Sequence, residues 1–304
     1  MFGILNIYKP QGITSHDVVS IVRKILGIKQ VGHTGTLDPF AQGVLPVCIG
    51  KATRLIDYFE DDKEYLATIQ FGASTDTYDT EGNILKKSNI KVTKPQIENA
   101  LKNFQGEIEQ IPPIYSAIKV NGKKLYEYAR SGEHIEINPR KITVYQIKLV
   151  NFDCENQTAE ISVKCSKGTY IRSIANDLGN TLGCFGYLTK LIRTQAGSFT
   201  LNKSIKLPIV LNNDKLPNNT LKYSIIPNSK ETLIKNIINP IDVISLTKLE
   251  VNDSDYEKIS HGNMITNNEL KLKSGDFLIL VYNKNVIAIG QYEGGKIKVK
   301  KVFI

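Results

Sequence analysis

A mixed α and β fold (α+β) is what this chain predicts, on three observations. Short runs of period-two apolar alternation recur along the sequence, and stretches with helical apolar spacing lie between them, one with both of its caps readable. After Pro240 the texture turns to β alone. At 304 residues the chain can bury one large core or two domains.

The elements follow in order. Residues 4–8 read as a strand. Thr14 and Ser15 can cap a helix whose apolar face is Val18, Val22, Ile25 and Leu26, and Gly27 ends it. Residues 44–49 are strand-like, and a short helix is expected from about Ala52 to Phe59. Tyr65, Ala67, Ile69 and Phe71 share one face of a strand. Pro95 opens a helix that buries Ile97, Leu101 and Phe104 before Gly106. Strands around 142–150 and 161–165 lead to Gly168, where a helix carrying Ile171, Ile174, Ala175 and Leu178 begins. Residues 201–240 are rich in Asn, Lys and Pro with no clean period, which predicts irregular structure or a mobile connection. Residues 277–282, 286–292 and 296–303 form a three-stranded meander, with turns at Asn283-Lys284-Asn285 and Glu293-Gly294-Gly295. Lys296, Lys298 and Lys300 should project from one face of the last strand.

The net charge is +9, from 39 basic and 30 acidic residues, so partners bearing phosphate fit, though a Lys-rich coding bias would give the same balance. Four cysteines show no Cys-x-x-Cys pair and no histidine at zinc-ligand spacing, so no metal is expected. Cys48 and Cys165 read as small buried hydrophobes, and His16, His134 and His261 as surface residues. No signal-peptide core and no membrane-spanning apolar run is visible, so a soluble, reduced, cytoplasmic protein is expected.

One segment stands apart, Gly32-His33-Thr34-Gly35-Thr36-Leu37-Asp38-Pro39-Phe40-Ala41-Gln42-Gly43-Val44-Leu45-Pro46. It holds a single carboxylate, Asp38, among glycines at 32, 35 and 43, with a proline directly behind that biases Asp38 away from the helical region. Two readings stay open on the residues alone. The loop presents a nucleophile or base, or the aspartate only satisfies nearby backbone amides in a tight turn.

This segment, continued by Gly50-Lys51-Ala52-Thr53-Arg54, resembles the aspartate motif of the bacterial tRNA pseudouridine-55 synthases. Four further blocks match in the family's order. They are Asn6-Ile7-Tyr8-Lys9-Pro10-Gln11-Gly12-Ile13-Thr14-Ser15, Lys63-Glu64-Tyr65, the block from Pro112 through Lys119 to Glu127, and Ser166-Lys167-Gly168-Thr169-Tyr170-Ile171-Arg172-Ser173. The likeness runs from about Leu5 to Arg193 and weakens beyond Leu201. It implies a pseudouridine-synthase core on a mixed, mainly antiparallel sheet with flanking helices, over residues 1–245. Residues 246–304 would form a small, β-rich, PUA-like RNA-binding domain. The implied partner is the T-arm stem-loop of tRNA, with no cofactor, no metal and no obligate protein partner; a monomer is expected because no long exposed apolar helix face suggests a partner.

The reaction detaches uracil from C1′ of its ribose, turns it and rejoins it through C5. The resemblance gives Asp38 the part of nucleophile or base at the sugar, a task a carboxylate can perform at an anomeric carbon. Arg172 would keep Asp38 ionised and aimed by a two-pronged hydrogen bond. Tyr65 would lie against the base and be available as a general base, although a phenol of pKa about 10 needs local activation for that. Leu191 would cover the opposite face of the base, and Tyr170 would support the pocket. His33 would fill the space vacated by the flipped nucleotide. Lys119, Lys123 and Lys124, with tyrosines among them, would belong to an RNA-gripping block at about 110–135. The block Asp76-Thr77-Tyr78-Asp79, with Asp76 as the substrate-facing acid, is placed as RNA-facing or supporting, and Lys9 and Pro10 as supports of the active-site loop. The alternatives are a guide-dependent pseudouridine synthase, or an RNA chaperone that remodels tRNA with catalysis secondary.

Overall fold

The structure is a computed structural model that describes residues 1–215 and 220–304. In the first half the strands are β1 (Gly3–Lys9), β2 (Val31–His33), β3 (Gln42–Ile49), β4 (Lys63–Phe71), β5 (Ala73–Thr75), β6 (Ile84–Lys87), β7 (Gly106–Gln110), β8 (Lys119–Val120), β9 (Lys123–Lys124), β10 (Arg140–Asp153) and β11 (Thr158–Cys165). The helices are α1 (Ser15–Leu26), α2 (Lys94–Leu101), α3 (Leu125–Ser131) and α4 (Ile171–Thr181), with a 3-10 helix at Gly50–Tyr58. Strand β12 (Gly186–Ala196) then crosses the centre of the molecule, followed by β13 (Phe199–Thr200), β14 (Ile205–Lys206), β15 (Ile209–Lys215), β16 (Leu221–Ile225) and α5 (Ser229–Lys235). The chain ends in β17 (Thr247–Glu250), α6 (Asp253–Ser260), β18 (Ile265–Thr266), β19 (Phe277–Tyr282), β20 (Asn285–Glu293) and β21 (Lys296–Val302).

The main sheet runs β14-β1-β3-β12-β4-β11-β10-β7, with β2 beside β3 and β13 beside β12. Two pairings are parallel, β1 with β14 and β3 with β12; the others are antiparallel, as expected. Period-two alternation divides β1 and β3 between two cores. Leu5, Ile7, Leu45, Val47 and Ile49 join the core shared with α1, α2 and α4. Ile4, Val44 and Cys48 face the other way and pack with Leu55 and Phe59 against Ile279, Val281, Val286, Ile289 and Phe303. The C-terminal five-stranded sheet, β17-β19-β20-β21-β18, therefore shares one apolar cluster with the main sheet and keeps a second of its own.

Local chemistry explains the boundaries. The Thr14 hydroxyl accepts from the Asp17 amide at 3.0 Å while the Asp17 carboxylate accepts from the Thr14 amide at 2.8 Å, and Gly27 closes α1 at φ 69°. Three expectations need correction. The short helix at 52–59 is a 3-10 helix, Gly50–Tyr58. The irregular connection expected at 201–240 instead holds the antiparallel pair β15–β16 and α5, apart from 216–219, which lie outside the described residues. The helix expected at Gly168 starts at Ile171, leaving Tyr170 at its N-cap.

Candidate active site

Asp38 stands on a loop fixed from beneath by three buried polar side chains. Ser15 Oγ accepts from the Leu37 amide at 2.8 Å and donates to the Leu37 carbonyl at 3.0 Å. Lys9, with 0 % exposure, donates to the carbonyls of Ile13 at 2.7 Å, Pro10 at 2.9 Å and Pro39 at 3.3 Å. Arg193 donates to the carbonyls of Val44 at 2.7 Å, Gly35 at 3.0 Å and Thr36 at 3.3 Å. The loop's backbone acceptors are thus satisfied from inside the protein, while the Asp38 carboxylate stays 37 % exposed. Of the glycines in the segment, Gly43 carries the steric demand: its φ is 109°, and a Cβ there would meet the Arg193 carbonyl oxygen at 2.3 Å.

Arg172 Nε lies 3.0 Å from Asp38 Oδ2. The two-pronged bond expected between them is not formed. Nη1 instead faces Asp79 Oδ2 at 3.5 Å and donates to the Thr77 carbonyl at 3.1 Å, and Nη2 donates to the Tyr115 carbonyl at 3.1 Å. One guanidinium therefore ties the Asp38 loop to the 75–79 loop and to the 112–119 block. Asp79 is buried and accepts from Thr77 Oγ1 at 2.6 Å and from the Glu81 amide at 2.9 Å. Burial raises its carboxyl pKa, against the opposing pull of Thr77 and Arg172. Asp76, the acid singled out in the sequence, instead accepts from the Asn83 amide at 2.9 Å and shapes its own turn. Asp79 is the one that joins the site.

The cleft above Asp38 encloses 420 Å³, and its walls include Tyr65, Tyr170, Arg172 and Leu191, with Lys63, Ser116, Lys167 and Arg193. Tyr65 and Leu191 come from neighbouring central strands, with Tyr65 opposite Arg193 and Leu191 opposite Ala67 in the register. Burial pushes the Tyr65 phenol above its ordinary pKa, while the nearby Arg193 guanidinium pulls the other way. Tyr170 is anchored by Gln110, whose side chain accepts from the Tyr170 amide at 2.8 Å and donates to its carbonyl at 3.0 Å.

His33 is on β2, next to the cleft-lining Thr34 but not itself in the wall. Burial, then Arg193, lowers its pKa, which leaves a neutral ring at pH 7. Lys119, Lys123 and Lys124 lie on the β8–β9 hairpin, also outside the cleft wall. Lys123 pairs with Glu133 at 2.6 Å and sits 4.6 Å from the Tyr128 ring centre. Lys124 and Arg130 each lie 5.3 Å from the Tyr126 ring centre. Two of the tyrosines expected to stack on RNA, Tyr126 and Tyr128, are thus in contact with the protein's own cations. Among the described residues no group of three or more His, Cys, Asp or Glu could hold a metal ion, and no helix is long and apolar enough to cross a membrane.

Residues 23–171 match the family model described as TruB family pseudouridylate synthase (N terminal domain). The chain is 43 % identical over 306 residues to the tRNA pseudouridine synthase B of Caldanaerobacter subterraneus subsp. tengcongensis, covering 99 % of each. The chain belongs to the TruB family. It is accordingly a pseudouridine synthase, and the resemblance read from five sequence blocks holds over the full length. The tRNA pseudouridine synthase B of Clostridium kluyveri is 43 % identical, with 100 % of each chain covered. Among solved structures, the crystal structure of a Cbf5-Nop10-Gar1 complex matches with TM-score 0.71 and 27 % identity, over 100 % of this chain and 85 % of that one. An H/ACA RNP bound to a substrate RNA containing 2'-deoxyuridine matches with TM-score 0.70 and 25 % identity, over 100 % and 85 %.

Lys63, Asp79 and Arg193 line or buttress this TruB site; from the sequence, Asp79 has a part only as a member of the supporting or RNA-facing 76–79 block, and Lys63 and Arg193 have none. Strand phase could have found two of them. Lys63 precedes Tyr65 by two residues and Arg193 follows Leu191 by two, so each shares a face with a residue already singled out.

Proposed function

We propose that this chain isomerises uridine to pseudouridine at position 55 in the T-loop of tRNA, acting without a guide RNA or protein partner. Asp38 is the reacting carboxylate, poised at the floor of the cleft. Arg172 orients it, Tyr65 and Leu191 hold the flipped base, and Tyr170 closes the pocket wall. His33, beside the cleft, takes the place of the extruded nucleotide. Lys119, Lys123 and Lys124 grip the RNA backbone from the β8–β9 hairpin. Residues 1–245 carry the chemistry, and 246–304 add an RNA-facing, PUA-like unit on which Lys296, Lys298 and Lys300 are exposed.

The observation that carries this reading is the partly exposed Asp38 ion-paired at 3.0 Å with a buried arginine, in a cleft walled by Tyr65 and Leu191. A carboxylate so placed is held by a cation yet reachable from the cleft, which covalent or base chemistry at a sugar carbon needs. The likeness to Cbf5 chains solved with protein partners favours a guide-dependent enzyme as the second reading. Incubating the purified protein with unmodified tRNA and with an isolated T-arm stem-loop, then mapping pseudouridine, separates the two. Conversion of both RNAs at the T-loop uridine by the protein alone is expected; no conversion without added factors favours the second reading.

A further inference from the structure

Two cations share the sheet face that presents Tyr65. Lys63 precedes Tyr65 by two residues on β4, and Arg193 pairs with Tyr65 from β12. Both line the cleft, with exposures of 9 % and 1 %. A Cβ added at Gly35 would lie 3.5 Å from Lys63 Cε and 3.7 Å from Arg193 Nη1, so the two side chains converge under one point of the Asp38 loop. Burying like charges side by side is unfavourable, and the cost shows in Lys63, whose pKa is lowered by burial and then by Arg193.

The nearby carboxylates do not balance this pair. Asp38 is engaged with Arg172, Asp61 lies 3.8 Å from Lys63 and closer, at 2.9 Å, to Lys167, and Asp62, whose pull on Lys63 is weaker than the push from Arg193, accepts from the Tyr145 hydroxyl at 3.1 Å. Arg193 donates to three backbone carbonyls and thereby holds the loop, and its guanidinium also faces the Tyr65 phenol. Lys63 has three N–H donors, and its hydrogen bond among the described residues goes to the Asp61 carbonyl at 2.6 Å. An apolar side chain would fill the same volume at less electrostatic cost. Unbalanced positive charge in a cleft wall is instead suited to negative charge that arrives with the substrate or develops on it.

The isomerisation develops such a charge. The C1′–N1 bond breaks with its electron pair leaving on the base, so the detached uracil is anionic over N1, O2 and O4. A C1′–C5 bond then forms, C5 loses its proton and N1 gains one. We propose that Lys63 is a further catalytic residue: its ammonium, backed by Arg193, contacts a carbonyl oxygen of the uracil and stabilises its charge while the base is detached. The inference rests on the functional reading above, in which Asp38 reacts at the sugar beside Tyr65.

Lys63→Met removes the charge at similar length, and replacing a buried cation with an apolar group is compatible with the fold. Single-turnover conversion of a T-arm stem-loop at saturating full-length enzyme should fall by about 10²–10³-fold, the usual loss of one charge-stabilising donor. RNA affinity should stay within about twofold and its salt dependence should not change. Lys63→Arg, which keeps the charge, should recover most of the rate. An unchanged rate in Lys63→Met overturns the proposal. So does weaker binding with a flatter salt slope at an intact saturated rate, because the ligand is then a backbone phosphate. A Lys63→Arg variant as slow as Lys63→Met also overturns it. Asp38→Asn tests the underlying reading separately: an active Asp38→Asn removes that reading whatever Lys63→Met does.

Discussion

Asp38 meets Arg172 through one nitrogen, and the rest of the guanidinium is committed to Asp79 and to the carbonyls of Thr77 and Tyr115. An ammonium cannot reproduce that planar arrangement, so Arg172→Lys should lose about a hundredfold in single-turnover rate. A variant within a few-fold of the parent would show that Asp38 needs no such anchor. Tyr65 yields a prediction with a sign. Its phenol is pushed upward by burial, so the ionised form is not the resting state near neutral pH. If Tyr65 acts by lying against the base rather than as a phenolate, the single-turnover rate should show no rise between about pH 7 and 9; a tenfold rise per pH unit that Tyr65→Phe abolishes would identify a phenolate base. The pairing of Asp38 with Arg172 is legible because both lie in short motifs of restricted chemistry. The geometry between them is not. Nothing in the sequence says that Arg172 would divide its donors among three segments, or that Asp79 rather than Asp76 would turn inward.

At the scale of elements, reading succeeded where a boundary is fixed by local chemistry. The Thr14–Asp17 capping box and the left-handed Gly27 delimit α1 where the sequence placed it. Strand β12, which supplies Leu191 and Arg193, is not legible in this way. β12 lies between β3 and β4 at the centre of the sheet, carries register shifts against β4, and mixes polar with apolar side chains, which blurs its alternation. The parallel pairing of β3 with β12 sets Gly43 opposite Arg193 and leaves no room for a side chain there. Gly43→Ala should destabilise the protein by about 2–4 kcal/mol, visible as a lower denaturant midpoint, because the new methyl meets backbone with no room to give. An unchanged midpoint would mean that the β3–β12 pairing relaxes freely. On the β8–β9 hairpin, Lys123 is already paired with Glu133, whereas Lys119 is exposed. Neutralising Lys119 should flatten the salt dependence of RNA binding more than neutralising Lys123. The reverse order would place the grip on the Lys123 side.

For the whole molecule, the shared cluster of Ile4, Val44, Cys48, Leu55 and Phe59 with Ile279, Val281, Ile289 and Phe303 is the decisive feature. Arg54 and Lys51 add donors to the carbonyls of Val302 and Phe303, at 2.8 and 3.2 Å. Removing the residues after Thr247 would expose the main sheet's second apolar face, at roughly 1.5–3 kcal/mol for each large side chain uncovered. Truncation thus confounds folding with RNA contact. The alternating lysines of β21 offer a cleaner probe, since Lys296, Lys298 and Lys300 are exposed while Ile297 is buried. Replacing all three with Gln should weaken full-length tRNA more than the T-arm stem-loop; equal effects would remove the C-terminal sheet from tRNA recognition. That small charged face was legible from period-two spacing, but the docking of the two sheets was not, because it depends on contacts far apart in the chain.

The central claim, that Asp38 performs the chemistry on an RNA held by other residues, is tested most directly by Asp38→Asn. This change keeps the shape of the side chain and removes its charge. Single-turnover pseudouridine formation on the T-arm stem-loop should fall to background, with RNA affinity within about threefold of the parent. Pseudouridine formed by Asp38→Asn near the parent rate would contradict the account.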